Sequence, residues 1–487
     1  MPHVVIAGGG LTGLSVAFRL KQLAPGVSVA VLEPRPAAGG NIGTEDRDGF
    51  RVERGPNGFL DRTPSVPNLV RDLGLADRLL AASEGSRKNR YLFLRGKLRK
   101  LPGGPLGLLF SRLLSVRGKW QLFTEAWRKG EPGVAGEPGA SATGGRRTPV
   151  ADAPGSPEHD ESVAEFVTRR AGKEAAEIFA DALVTGIQAG DPAKLSVAAA
   201  FPRLPVMERE AGSIVRGFIR AAKKRRLDAE ARGEPPPGPQ RMWSFREGLR
   251  VLVDGLMAQV GDRVTTGAGV KAIRRHEGGW CLDTDAGAMT ADAVVLACPA
   301  YEQAAILERL DPKLAEDVGG IAYNRIAVVA LGYRQTDCPW SPDGFGYIAP
   351  QSTRRDVLGV QWCSSIFPDR APPGFVLWRA LCGGVNRADV ADWDDDTLAK
   401  AVHAEMKLAM GVRGEPVFRR IVRWPRAIPQ YNVGHLARVA RVEAAAAAQP
   451  GLFLTGNAYR GVAMGDCAEQ GELVAARVAE WFARGRP

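Results

Sequence analysis

Apolar positions along this chain come in short, dense runs near both ends and in a longer-period pattern between them. Val4-Val5-Ile6-Ala7 and Val29-Ala30-Val31-Leu32 predict strands, with a helix over Leu11 to Leu23 between them. Ala293-Val294-Val295-Leu296-Ala297 is wholly apolar, as a strand buried on both faces of a sheet should be. Further strand-like pieces lie at Arg263–Thr266, Gly269–Ile273, Trp280–Thr284 and Gly451–Thr455, and a helix is predicted over Gln470–Ala483. Ser162–Ala189 and Ser196–Ile219 have helical composition, and Ile214–Arg232 is a charged, helix-like run.

Two stretches break this pattern. From Arg128 to Asp160 the chain is Gly, Pro, Ala, Ser and isolated charges without period, which predicts a disordered insertion. Gly233-Glu234-Pro235-Pro236-Pro237-Gly238-Pro239 marks a second break.

The first turn carries chemistry. Gly8-Gly9-Gly10-Leu11-Thr12-Gly13 follows a strand and opens a helix, and Glu33 lies 20 residues (33 − 13) beyond the last glycine at the end of the second strand. That is the dinucleotide-binding unit: Gly8 for the tight turn, Gly10 for approach of the backbone to a pyrophosphate, and Gly13 for close helix packing. The helix N-terminus faces the phosphates, and Glu33 accepts from the ribose hydroxyls, which disfavours a 2′-phosphate. Gly39-Gly40, followed by Asn41, reads either as a surface turn or as a second loop folding back over the same pyrophosphate. The second reading fits an extended, buried FAD better than a nicotinamide cofactor. Gly451–Asn457 repeats the strand-to-glycine pattern and aims a second turn at the isoalloxazine end.

The expected fold is therefore α/β plus α+β. A discontinuous Rossmann-like FAD-binding domain (1–80, 241–300, 441–487) is combined with a mixed-sheet substrate domain (81–86, 199–240, 301–440) and a mostly helical insertion (87–198).

Composition narrows the partners. With 487 residues, 45% hydrophobic and 24% charged, the chain reads as globular with more than one core. Six cysteines without a Cys-x-x-Cys pair and five scattered histidines predict neither a metal site nor a disulfide framework. The first strand starts at once, leaving no room for a signal peptide, and no apolar run approaches the ~20 residues needed to span a bilayer. A cytoplasmic protein is expected, with peripheral contact at the inner face of the cell membrane left open by a net charge of +11. No nucleic-acid module accompanies that charge, so nucleic acid is not an expected partner.

Several blocks in order resemble the oxygen-dependent protoporphyrinogen/coproporphyrinogen III oxidases of the amine-oxidase-like flavoprotein superfamily. They are Gly49 to Phe59, Gly186 to Pro192 with Leu195 to Pro202, Ser244 to Leu249, Phe367 to Pro372, Trp424 to His435, and Gly456 to Cys467. The resemblance implies non-covalent FAD held by Gly8, Gly10, Leu11, Thr12, Gly13, Glu33, Gly39, Gly40, Asn41, Gly55, Pro56, Asn57, Val270, Trp424, Gly456, Asn457, Val462, Ala463 and Met464. It implies hydride transfer from a porphyrinogen to the flavin, with oxygen as acceptor and peroxide as product, in haem synthesis. No dedicated acid–base pair is implied. Arg90 matches the arginine that pairs a substrate propionate, against a solvated basic turn; Trp362 matches an aromatic against the macrocycle, against a core tryptophan; Phe345 and Ile348 match the other wall, against strand core; and Gly186 matches a backbone position facing the substrate, against a helix-breaking glycine. The implied substrate is coproporphyrinogen III or protoporphyrinogen IX, which has vinyls in place of two propionates; Arg87, Lys88 and Arg95 beside Arg90 could serve four carboxylates, which tilts toward the former without deciding between them. A ferrochelatase partner and a homodimer are compatible with the resemblance. An amine or amino-acid oxidase, with Tyr459 in an aromatic cage, and a non-catalytic FAD-binding scaffold are the competing functions.

Overall fold

The computed structural model describes residues 1–103, 105–127, 160–233, 238, 240–339 and 343–485. The predicted insertion over Arg128–Asp160 thus falls outside the described residues except for Asp160 itself.

The apolar runs assemble into one five-stranded parallel sheet, in the order Val264–Thr266, Ser28–Glu33, His3–Ala7, Ala293–Leu296, Leu452–Leu454. Val4, Val5, Ile6, Val294 and Val295 are fully buried because both faces of this sheet are covered. One face packs on the helices Leu11–Leu23, Arg250–Val260 and Met464–Ala483. The other packs on a three-stranded antiparallel sheet within 270–291 and on the helices Ala300–Leu307, Pro312–Gly319 and His435–Ala447. The last helix begins at Met464, six residues before the predicted start at Gln470 (470 − 464), because the Asp466 carboxylate accepts the Ala463 N–H at 3.0 Å and caps the first turn.

The second large sheet has seven strands, in the order Phe418–Trp424, Ile326–Arg334, Phe375–Gly383, Gly359–Gln361, Gly346–Ile348, Arg90–Leu94, Lys97–Lys100. It is mixed: Gly346–Ile348 runs parallel to Arg90–Leu94 and the remaining pairs are antiparallel. Strand alternation splits its side chains. Phe93, Tyr333, Tyr347, Val360, Trp378 and Ala380 pack on the helix Asp395–Met410, while Leu92 and Ile348 face the helical segment.

Three boundaries differ from the expected ones. Arg90–Leu94 and Lys97–Lys100 belong to the seven-stranded sheet, so the helical segment starts after Lys100 and not at residue 87. Val197, Phe201, Leu204 and Ile214 share a core with Val163, Phe166 and Val184, which carries the helical segment past residue 198. The helices Ala300–Leu307, Pro312–Gly319 and His435–Ala447 cover the parallel sheet, so the dinucleotide unit extends into the range assigned to substrate. In each case tertiary burial of an apolar face, invisible in local composition, set the boundary. Among the described residues no helix is long and apolar enough to cross a membrane.

Candidate active site

The glycine turn is built to the limit of the backbone. At Gly8 φ is +109°, and a Cβ there would stand 2.8 Å from the Cys298 amide nitrogen. A Cβ on Gly13 would reach within 2.0 Å of the Gly8 carbonyl oxygen, whereas one on Gly10 would have only Gly40 Cα, at 3.9 Å, near it. Gly10 therefore marks open space, and the other two mark contact. Glu33 is buried and accepts the Gly9 N–H at 2.8 Å and the Arg35 N–H at 3.0 Å, so its carboxylate sits at the mouth of the turn. Gly39 donates to the Gly9 carbonyl at 2.8 Å and pairs with Gly10 in an isolated bridge. The second glycine pair thus folds over the first turn and is no free surface turn. Asn41, beyond it, is exposed, and its carbonyl oxygen lies 2.1 Å from where a Gly55 Cβ would be.

The other predicted cofactor residues gather around this cradle. Ala268 N–H donates to the Glu33 carbonyl at 3.0 Å and brings the strand starting at Val270 beside Glu33. Trp424 donates its indole N–H to the Arg54 carbonyl at 2.9 Å, next to Gly55-Pro56-Asn57. The Asn57 side-chain nitrogen is buried without a partner. Tyr431 donates to the Asn457 carbonyl at 2.5 Å, and Gln303 donates to the Thr455 carbonyl at 2.9 Å, fixing the turn at Gly456. Thr12 donates to the Cys467 carbonyl at 3.2 Å, so the first turns of the helices starting at Leu11 and Met464 lie together. Gly471 permits this approach, since its Cβ would lie 2.7 Å from Ser15 Cβ. Two helix N-termini, flanked by Val462 and Ala463, therefore present their positive ends to one region.

The substrate-side candidates divide. Arg90 and Phe345 meet, with the guanidinium carbon 4.9 Å from the ring centroid; the Arg90 carbonyl accepts the Leu101 N–H at 2.7 Å, and its guanidinium has no hydrogen bond or ion pair among the described residues. Gly186 and Ile348 also meet: a Cβ on Gly186 would stand 2.6 Å from Ile348 Cδ1. Trp362 is elsewhere. It is fully buried, donates to the Met410 sulfur at 2.9 Å and packs with Phe93 and Tyr347 on the opposite face of the sheet, so it is a core residue and not a wall of the site. Arg87 and Lys88 both pair with Glu84, at 2.6 and 3.8 Å, and Arg87 lines the same small cavity as Arg90 and Phe345. Arg95 occupies the hairpin turn at φ +53°, about five residues or roughly 16 Å along the strand from Arg90.

Comparison with known proteins fits this geometry. The sequence profile of the flavin-containing amine oxidoreductases matches residues 11–479. The chain belongs to that family.

Within it, the similar relatives are porphyrinogen oxidases by name. Tobacco chloroplastic protoporphyrinogen oxidase is 32% identical over 99% of this chain and 86% of its own. Coproporphyrinogen III oxidase of Bacillus subtilis is 29% identical over 96% of each chain. Among solved structures, a candidate protoporphyrinogen oxidase from Exiguobacterium sp. 255-15 superposes with a TM-score of 0.78 at 24% identity, over 98% of this chain and 99% of that one. Cyclohexylamine oxidase from Brevibacterium oxydans gives 0.68 at 17%, over 99% of each. At these identities the structures establish the fold.

FAD is the family member's cofactor, and the residues fit it: an open cradle at Gly10, the buried Glu33 carboxylate, and paired helix N-termini. What local reasoning missed lies on the sheet face above Asn57. Gln361 and Arg379 are neighbours across two strands, and both hold a buried polar atom without a partner, Oε1 and Nε respectively. Only their burial, which one sequence does not display, singles them out. Arg241 was also missed; it stands in the same small cavity as Arg90 and Phe345, with Leu60 and Met242.

Proposed function

We propose that this chain oxidises a porphyrinogen to the porphyrin at FAD, with oxygen as terminal acceptor and hydrogen peroxide as product. The observation that carries this reading is the Arg90 guanidinium, without an ion-pair partner among the described residues, stacked on Phe345 beside the Gly186–Ile348 contact. These residues stand in a chain that aligns almost end to end with named porphyrinogen oxidases. A porphyrinogen is a flexible apolar macrocycle with carboxylate arms, so it needs an apolar wall and cations at the rim. A guanidinium fork suits a propionate because it engages both oxygens. FAD, when bound, supplies the acceptor for hydride from the carbon bridges. The protein's residues orient the macrocycle, keep its arms at fixed points and exclude water.

Cys467 does not favour a covalent flavin. Burial pushes its thiol up to about 12, far from the thiolate that such a bond requires. Tyr459 does not form an amine cage either, because its hydroxyl donates to Gln303 Oε1 at 2.6 Å inside the core.

A membrane surface is the proposed partner for the helical segment. Trp120, Trp127, Phe218 and Ile219 are 54% to 74% exposed on adjoining helices, among Lys119, Arg220, Lys223 and Lys224. Such an apolar face with a basic rim suits anionic headgroups.

The deciding experiment is anaerobic mixing of the yellow holoprotein with coproporphyrinogen III and, separately, protoporphyrinogen IX. Bleaching of the flavin absorption is expected with at least one. Bleaching with neither overturns the reading and returns the scaffold function.

A further inference from the structure

Arg379 sits mid-strand in Phe375–Gly383 and is 3% exposed, yet among the described residues it has no carboxylate of its own. Its Nη1 donates to the Glu53 backbone carbonyl at 2.8 Å, and its buried Nε donates to nothing. The nearest carboxylate, Glu53, is already engaged. It accepts the Leu249 N–H at 2.9 Å and the Thr44 hydroxyl at 2.8 Å, and lies 3.6 Å from the Arg370 guanidinium. Two buried guanidiniums thus share one carboxylate, and one positive charge is left over. Keeping an uncompensated charge out of water opposes folding, and desolvation lowers the Arg379 pKa for the same reason. An anion arriving from outside the chain removes that penalty.

The surroundings are arranged for a carboxylate. Gln361 is the register partner of Arg379 on the neighbouring strand, and its buried side-chain oxygen has no partner. Turning the amide about its last torsion presents the NH2 group at the same place. The Cys363 thiol touches both Asn57 Oδ1 and the Gln361 carbonyl at 3.8 Å, which places the unpartnered Asn57 nitrogen beside them. These groups also have a fixed relation to Arg90. Arg90, Gly346, Gln361 and Arg379 are successive register partners, one per strand across four strands, and so share one face of the sheet. Arg90 and Arg379 are three strand spacings apart, roughly 14 Å. Between them Gly346, at φ +132°, contributes no side chain, and a Cβ would collide with the Val360 carbonyl oxygen at 2.0 Å. Between the two cations this row of the sheet carries only Gly346 and the Gln361 side chain.

We propose that Arg379, with Gln361, forms a second carboxylate-binding subsite opposite Arg90, selecting the porphyrinogen that carries propionates at both ends. Coproporphyrinogen III has them. Protoporphyrinogen IX carries vinyls at two of those positions and leaves the inner guanidinium unpaired. The inference rests on the porphyrinogen reading above.

The test compares wild type, Arg379→Leu, Arg379→Lys and Gln361→Leu as FAD-loaded proteins, measuring kcat/KM for both porphyrinogens and the affinity for coproporphyrin III by fluorescence quenching. If wild type oxidises neither substrate, the porphyrinogen reading itself fails. If it does turn over, Arg379→Leu is expected to lower the coproporphyrinogen-to-protoporphyrinogen ratio of kcat/KM about 100-fold and to weaken coproporphyrin binding in parallel. Arg379→Lys should restore part of the ratio. Equal loss on both substrates with a displaced flavin potential would instead make Arg379 a flavin-tuning group, and an unchanged ratio would dismiss the subsite. Should Arg379→Leu fail to fold, Gln361→Leu decides: a ratio lowered about tenfold supports the subsite, and an unchanged one overturns it.

Discussion

Gly186 and Ile348 show how one missing methyl sets the width of a site. A Cβ on Gly186 would stand 2.6 Å from the flexible end of Ile348, so Gly186→Ala should fold but raise KM for the porphyrinogen several-fold. Gly186→Ala combined with Ile348→Ala should recover most of that loss in steady-state assays; no recovery would mean that the two do not share the site. Arg90→Ala should lose most of kcat/KM while keeping its FAD, read from the flavin absorbance of the purified variant. An unchanged kcat/KM would remove Arg90 from substrate binding. Trp362 behaves differently, because it fills the core between the sheet and the helix Asp395–Met410. Trp362→Ala should destabilise the fold by about 3–5 kcal/mol in denaturant unfolding. A change in substrate selectivity at unchanged stability would return it to the cleft.

At the level of elements, the cofactor site depends on helix ends being held, and His435 holds one of them. It opens the helix His435–Ala447, stacks on Tyr431 with ring centroids 4.2 Å apart and bonds through Nε2 to the Tyr459 carbonyl at 3.0 Å. Burial lowers its pKa from 6.5. The folded protein therefore favours the neutral ring, and below about pH 6.5 the unfolded chain binds the extra proton first. This contribution to stability is complete above that pH and is lost as the pH falls toward the depressed folded value. FAD release, followed as rising flavin fluorescence, should grow as the pH falls below 6.5, and His435→Gln should flatten that dependence. An identical profile in the variant would assign the acid sensitivity to other groups.

At the scale of the molecule, the two sheets do different work. The parallel sheet fixes the cradle, and the mixed sheet supplies a floor whose far face is anchored on its own core. The helical segment adds the exposed aromatic and basic face. Wild-type protein should co-sediment with anionic phosphatidylglycerol vesicles at low salt and not with neutral ones. Trp120→Ser with Phe218→Ser should abolish this without changing turnover of a soluble substrate, and binding that survives the double change would place the contact elsewhere.

The sequence alone determined the cradle. Its steric demands are local, a few bonds apart, so they appear as fixed spacings: Gly8, Gly10 and Gly13 with Glu33, and the apolar strands around them. The substrate side was legible in part. Arg90 lies against Phe345 and Gly186 against Ile348, contacts that no local pattern announced, while Trp362 packs on the opposite face, since strand alternation assigns side chains to faces only once register and packing are known. The pairing of Arg87 and Lys88 with Glu84 was not legible in the sequence, because it depends on the short helix that the three residues share. Arg379 and Gln361 carried no motif at all. Their significance arises because the fold packs Arg370 and Arg379 around the single Glu53 carboxylate and sets Gln361 beside Arg379, placements that exist only in the tertiary structure.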